Sequence, residues 1–148
     1  MGVRVEVRLP SEDEIASLVG SEHDELLLEL ERIGRMLEAA KLGVIDHADH
    51  RARFLADGHR STAAWTRAIT NCSPAESRRK VRAARALRDL SGFRDALTTG
   101  DVGIDQVNEI ARLHARGVAV RSLIPRQYFC RRRANWSTPT CAWFRSAG

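Results

Sequence analysis

Aromatic side chains are scarce in this chain, with four Phe, three Trp and one Tyr among 148 residues. A hydrophobic core must therefore come mainly from Leu, Ile, Val and Ala, a palette that favours packed helices. Cysteine is equally sparse. Cys72, Cys130 and Cys141 are too few and too scattered for a disulfide framework, so a reduced, cytoplasmic protein is expected. No run approaches the roughly 18–20 apolar residues of a membrane span, so no membrane partner is expected. The opening "MGVRVEVRLPSEDE" has no apolar h-region, and "MGVRVE" lacks the Ser or Thr that a myristoylation signal carries at its sixth position. Lysine is nearly missing too: Lys41 and Lys80 stand alone, and arginine carries the positive charge.

Acidic residues stop at Glu109, which exposes an asymmetry beneath the formal net charge of +5. Residues 1–60 hold 8 basic and 13 acidic side chains, whereas residues 61–148 hold 16 basic and 6 acidic. An acidic front half thus precedes a back half suited to polyanions.

The pattern that is present is helical. "SEDEIASLVG" carries a capping box, in which Ser11 accepts from the backbone of Glu14 and the Glu14 carboxylate reaches back to Ser11, with Gly20 as a stop. From Ser21 a long segment follows, with Leu26, Leu30, Ile33, Leu37, Ala40 and Val44 at alternating spacings of four and three. Ala48, Ala52 and Leu55 extend the stripe, and Gly34 and Gly43 lie inside it, so a bend or break near Gly43 is expected. The stripe can dock on neighbouring helices or pair with a second copy as a coiled coil, making the 26–55 segment a candidate homo-oligomer surface. "STAAWTRAIT" reads as a helix capped by Ser61, with Ala64, Trp65, Ala68 and Ile69 as its apolar side. Ser73, Pro74 and Glu76 then give the strongest helix start in the chain, a second capping box opening a helix to about Leu90. Two shorter helices follow, the first ended by Gly100 and the second by Gly117, with Ile104, Val107, Ile110 and Ala111 facing inward. A strand at "VRVEV" is too short to count. The expectation is an all-α bundle of about five to six helices, divided as an N-terminal segment (1–20), a helical domain (21–117) and an irregular basic tail (118–148).

Three readings of chemistry follow. At about 100° per residue, Arg78, Arg82 and Arg85 share one face of the Pro74 helix, and Asp89 joins them. Such a stripe either tracks nucleic-acid phosphates, with a helix-turn-helix around residues 71–73, or simply stays solvated. Three neutralised phosphates would give weak, salt-sensitive DNA binding with a slope of about −3. In "DHADHR", His47 and His50 could share a face as metal ligands do, but no Cys/His cluster completes a site. A solvated helix is the plainer account, and no metal or cofactor is expected. Tyr128, Phe129 and Trp136 interleave with Arg131 to Arg133 in the tail, an arrangement open to base stacking or to an out-of-frame segment. No phosphate loop or nucleophile motif is present, so no enzyme is expected.

"GHRSTAAWTRAITNCSPAESRRKVRAARALRDLSGFRDALTTGDVGIDQVNEIARL" resembles the actinobacterial 13E12 repeat family, whose shared region is the domain of unknown function 222. The resemblance rests on Gly58, Ser61, Ala63 to Trp65, Ser73 to Arg79, Leu87, Leu90, Ala96, Leu97, Gly100 and Gln106. It implies a non-catalytic, DNA-associated accessory module of an HNH-endonuclease-like or mobile-element protein. Members often carry a C-terminal HNH nuclease, but here no histidine follows His114, so that part is absent from the sequence. The change of character after Gly117 reads as a truncation or frameshift of the family's domain. The rival readings are a helical oligomerisation module and a non-functional remnant.

Overall fold

The computed structural model describes residues 6–117. They form seven helices: α1 (Glu12–Ala16), α2 (Glu22–His50), α3 (Arg53–Ala56), α4 (Thr62–Thr70), α5 (Pro74–Asp89), α6 (Ser91–Thr98) and α7 (Ile104–Ala115). No strand occurs among the described residues. Residues 3–5 of "VRVEV" lie outside them, as does the whole basic tail. The all-α expectation holds, with α3 as an added short helix. It arises because α2 does not run on through Ala52, which adopts a left-handed φ of 49° and breaks the helix. The return brings the Thr62 hydroxyl to 2.5 Å from Asp49, linking α4 to α2. No break occurs at Gly43: α2 is continuous for 29 residues through both of its glycines.

Helix α5 lies at the centre, packed against α2, α4, α6 and α7. Its composition allows this. Ala83, Ala84 and Ala86 are buried with Val81 and Leu87, and such short side chains let neighbouring helices approach closely. Leu42 and Ile45 from α2, Phe93 and Leu97 from α6, and Val102 and Val107 near and on α7 complete the core. Each fully buried aliphatic side chain contributes about 1.5–3 kcal/mol.

Helix α2 meets this core with an unexpected side. Its buried residues are Leu42, Ile45 and Ala48; only Ala48 belongs to the stripe expected to dock, whose Leu37, Ala40 and Val44 face outward. Leu42 is 2% exposed and Val44 63%, Leu37 is exposed, and Leu26, Leu30 and Ile33 are half-buried. Two apolar arcs run along α2 about half a turn apart, and the four-three spacing traces the outer one. Helix α4 meets expectation in part. Ala64 and Trp65 are half-buried, but Ala68 and Ile69 lie exposed and Thr62 and Thr66 are buried, the Thr62 hydroxyl being drawn in by the Asp49 carboxylate.

The end of α6 is tightly specified. Gly100 has φ 80°, its N–H bonds Leu97 O at 3.1 Å, and the N–H of Asp101 bonds Ala96 O at 2.8 Å. Both bonds of a Schellman motif are therefore present. A Cβ on Gly100 would lie 2.7 Å from Cγ of Arg32, and Arg35 donates to the Gly100 carbonyl at 3.0 Å. Glycine at this point lets the α6–α7 turn rest on α2.

Candidate nucleic-acid interface

The sequence start at Ser73 fixes the position of every arginine on α5. The Ser73 hydroxyl accepts from Glu76 N at 3.1 Å, and Pro74 occupies the first turn, where its missing N–H has no cost. The box is only half made. The Glu76 carboxylate turns forward to Lys80 at 2.8 Å, which lowers its pKa, and does not reach back to Ser73. Asn71, with φ 51°, terminates α4, and residues 71–73 form a short turn between the two helices.

Arg78, Arg82 and Arg85 come together as the spacing suggests. They floor an open cleft of about 460 Å³, flanked by Ser61, Thr62 and Ala63 at the start of α4 and by Ala111 and His114 on α7. Asp89 closes one end, where its carboxylate lies 3.0 Å from Nε2 of His114. Within the cleft the three arginines differ. Arg85 grips Asp49 through Nε at 3.0 Å and Nη2 at 2.7 Å. Arg78 and Arg82 are exposed and make no hydrogen bond or ion pair among the described residues. Two cations are thus available to an anion where the stripe counts three.

The Asp49 carboxylate is the polar centre of the α2–α5 contact. It accepts from Arg85, Thr62 and, at 3.3 Å, Arg88, and its side chain is only 11% exposed. These donors, Arg85 foremost, hold its pKa well below the ordinary carboxylate range despite burial, which acts the other way. Arg88 also binds Asp46 at 2.6 Å. The aspartates of "DHADHR" are therefore clamps between helices and not part of a solvated face, whereas His47 and His50 do lie exposed. Composition hid this, but spacing could have revealed it: Asp46 and Asp49 stand three apart on α2, as Arg85 and Arg88 do on α5. No group of three or more potential metal ligands occurs among the described residues. Cys72 is half-buried beside the α5 cap, while Cys130, Cys141 and the Tyr128 to Trp136 segment lie outside the described residues.

The α4–turn–α5 unit has the connectivity of a helix-turn-helix, but its second helix is the most enclosed of the bundle. A helix that reads bases must enter the major groove along much of its length. Here the part of α5 that carries Arg78, Arg82 and Arg85 lies between α4 and α7.

A family model described as Domain of unknown function (DUF222) matches residues 24–137. The match spans α3 to α7 and nearly all of α2, and continues twenty residues past Gly117, where the composition changes. No curated protein and no solved structure matches.

Proposed function

The chain belongs to the DUF222 family, and from that premise we propose that it is a non-catalytic helical module that holds nucleic-acid phosphates in the cleft between α4, α5 and α7. The observation that supports this reading is the pair Arg78 and Arg82, exposed and unpaired on one face and one turn apart. The positive end of the α4 dipole adds to the field at the same place. Contacts of this kind position a polyanion without reading its sequence. The role fits an accessory domain that keeps an HNH-endonuclease-like or mobile-element protein on DNA.

Two neutralised phosphates imply that log K falls with log salt at a slope of about −2. Fluorescence anisotropy with a labelled duplex at two salt concentrations measures it. Arg78→Ala with Arg82→Ala should abolish binding while leaving the melting temperature nearly unchanged. Arg85→Ala should keep the slope and lower the melting temperature. Absence of binding at low salt, or binding indifferent to loss of Arg78 and Arg82, would remove the reading.

A further inference from the structure

Among the described residues, the outer arc of α2 is left exposed over its second half, at Leu37, Ala40 and Val44, and its pattern specifies a partner. We propose that two copies of this chain pair antiparallel along Leu26, Leu30, Ile33, Leu37, Ala40 and Val44 of α2, on the side opposite the bundle. Leu37 and Val44 of this stripe are exposed large hydrophobics, while the other three on this helix, Leu27, Leu28 and Met36, lie off the seam. The six stripe positions alternate four and three apart, the spacing of a two-stranded seam. Reversing one copy sets Leu26 against Val44, Leu30 against Ala40 and Ile33 against Leu37, then the same three contacts in reverse order. Every apolar position meets another, and the next layer outward is His23 against His47 at both ends, which limits the seam to six layers.

Charge and backbone agree with this register. Lys41, which pairs with Glu38 of its own chain at 2.7 Å, flanks the seam and falls opposite Leu27 of the other copy, where that copy's Asp24 and Glu31 add negative charge nearby. Gly34 and Gly43 border the seam on either side. A Cβ built on either meets nothing within 4 Å among the described residues, whose packing therefore does not require glycine at these positions. Each costs the helix on the order of 1 kcal/mol against Ala. A second helix laid along the seam accounts for both, since the missing side chains allow close approach. The seam spans 19 residues, about 28 Å at 1.5 Å per residue, and short seams of this kind associate weakly, so the dimer should be concentration-dependent.

Sedimentation velocity of the full chain over a concentration series tests this. A monomer–dimer equilibrium is expected, and Leu37→Glu should raise the dissociation constant by about tenfold or more with unchanged helical circular dichroism. Register is read by disulfide trapping in a background with Cys72, Cys130 and Cys141 changed to Ser. A mixture of the Leu26→Cys and Val44→Cys chains should cross-link, while neither should cross-link with itself. A monomer at all concentrations, as when another segment of the chain covers the seam, overturns the proposal. So does a dimer insensitive to Leu37→Glu, or self-cross-linking of Leu26→Cys, which would mean parallel pairing.

Discussion

Helices α2 and α5 are the two longest of the bundle and both are rich in charge, yet they relate to the core in opposite ways. Helix α5 packs against four neighbours and buries one whole side, Ser77, Val81, Ala83, Ala84, Ala86 and Leu87, while its arginines hold the other. Helix α2 touches the core along one arc and carries a second apolar arc on its outside. The contrast shows that apolar content does not by itself set burial. Alanines make α5 central, because small side chains let four helices close around it, whereas larger leucines on α2 remain outside.

One substitution made on both helices gives the largest test. Ala84→Leu on α5 forces three extra carbons into a closed space and should cost about 2–3 kcal/mol, or prevent folding. Ala40→Leu on the outer arc of α2 should change stability by less than about 0.5 kcal/mol. Urea unfolding of the two variants decides, and equal losses would break the distinction. Next comes the contact between the helices. Asp49→Asn should cost about 1–2 kcal/mol at neutral pH, since it removes charge-assisted bonds that are partly open to solvent. Because the Asp49 pKa is depressed in the folded chain, its stabilisation is complete above the unfolded value of about 4 and is lost as pH falls below it. The gap between parent and variant urea midpoints should therefore narrow on acidification. Gly100→Ala should cost about 1–2 kcal/mol by thermal melting, from its left-handed φ and the clash with Arg32. Arg32→Ala in the same chain should recover part of that loss. The smallest effect belongs to Arg78→Ala, which breaks no hydrogen bond or ion pair among the described residues and should shift stability by less than about 0.5 kcal/mol while weakening DNA binding.

Much of this architecture is legible in the sequence where local chemistry decides it. The Ser11, Ser61 and Ser73 caps all form, and Gly100 and Gly117 both take left-handed conformations, because these features depend on residues within a turn of one another. Val107 and Ala111 are buried as their spacing suggests. What failed to show depends on distant partners. The inner arc of α2 is marked by Leu42 and Ile45 only once α5 is in place, and Thr62 is inward only because Asp49 waits there. At the cleft, helical periodicity correctly gathers Arg78, Arg82 and Arg85. It could not show that Arg85 is already engaged, since its partner is 36 residues away.

That separation has a kinetic side. Helices α4 to α7 follow one another with short turns, so their mutual contacts form at small loop-closure cost. The four charges of Asp46, Asp49, Arg85 and Arg88 must meet across 36 to 42 residues, a larger closure than any within α4 to α7. The clamp is therefore expected to close late, after the barrier to folding has been crossed. Weakening it should speed unfolding more than it slows folding. The lifetime of the folded chain, more than its rate of assembly, would then be set by two aspartates on the longest helix.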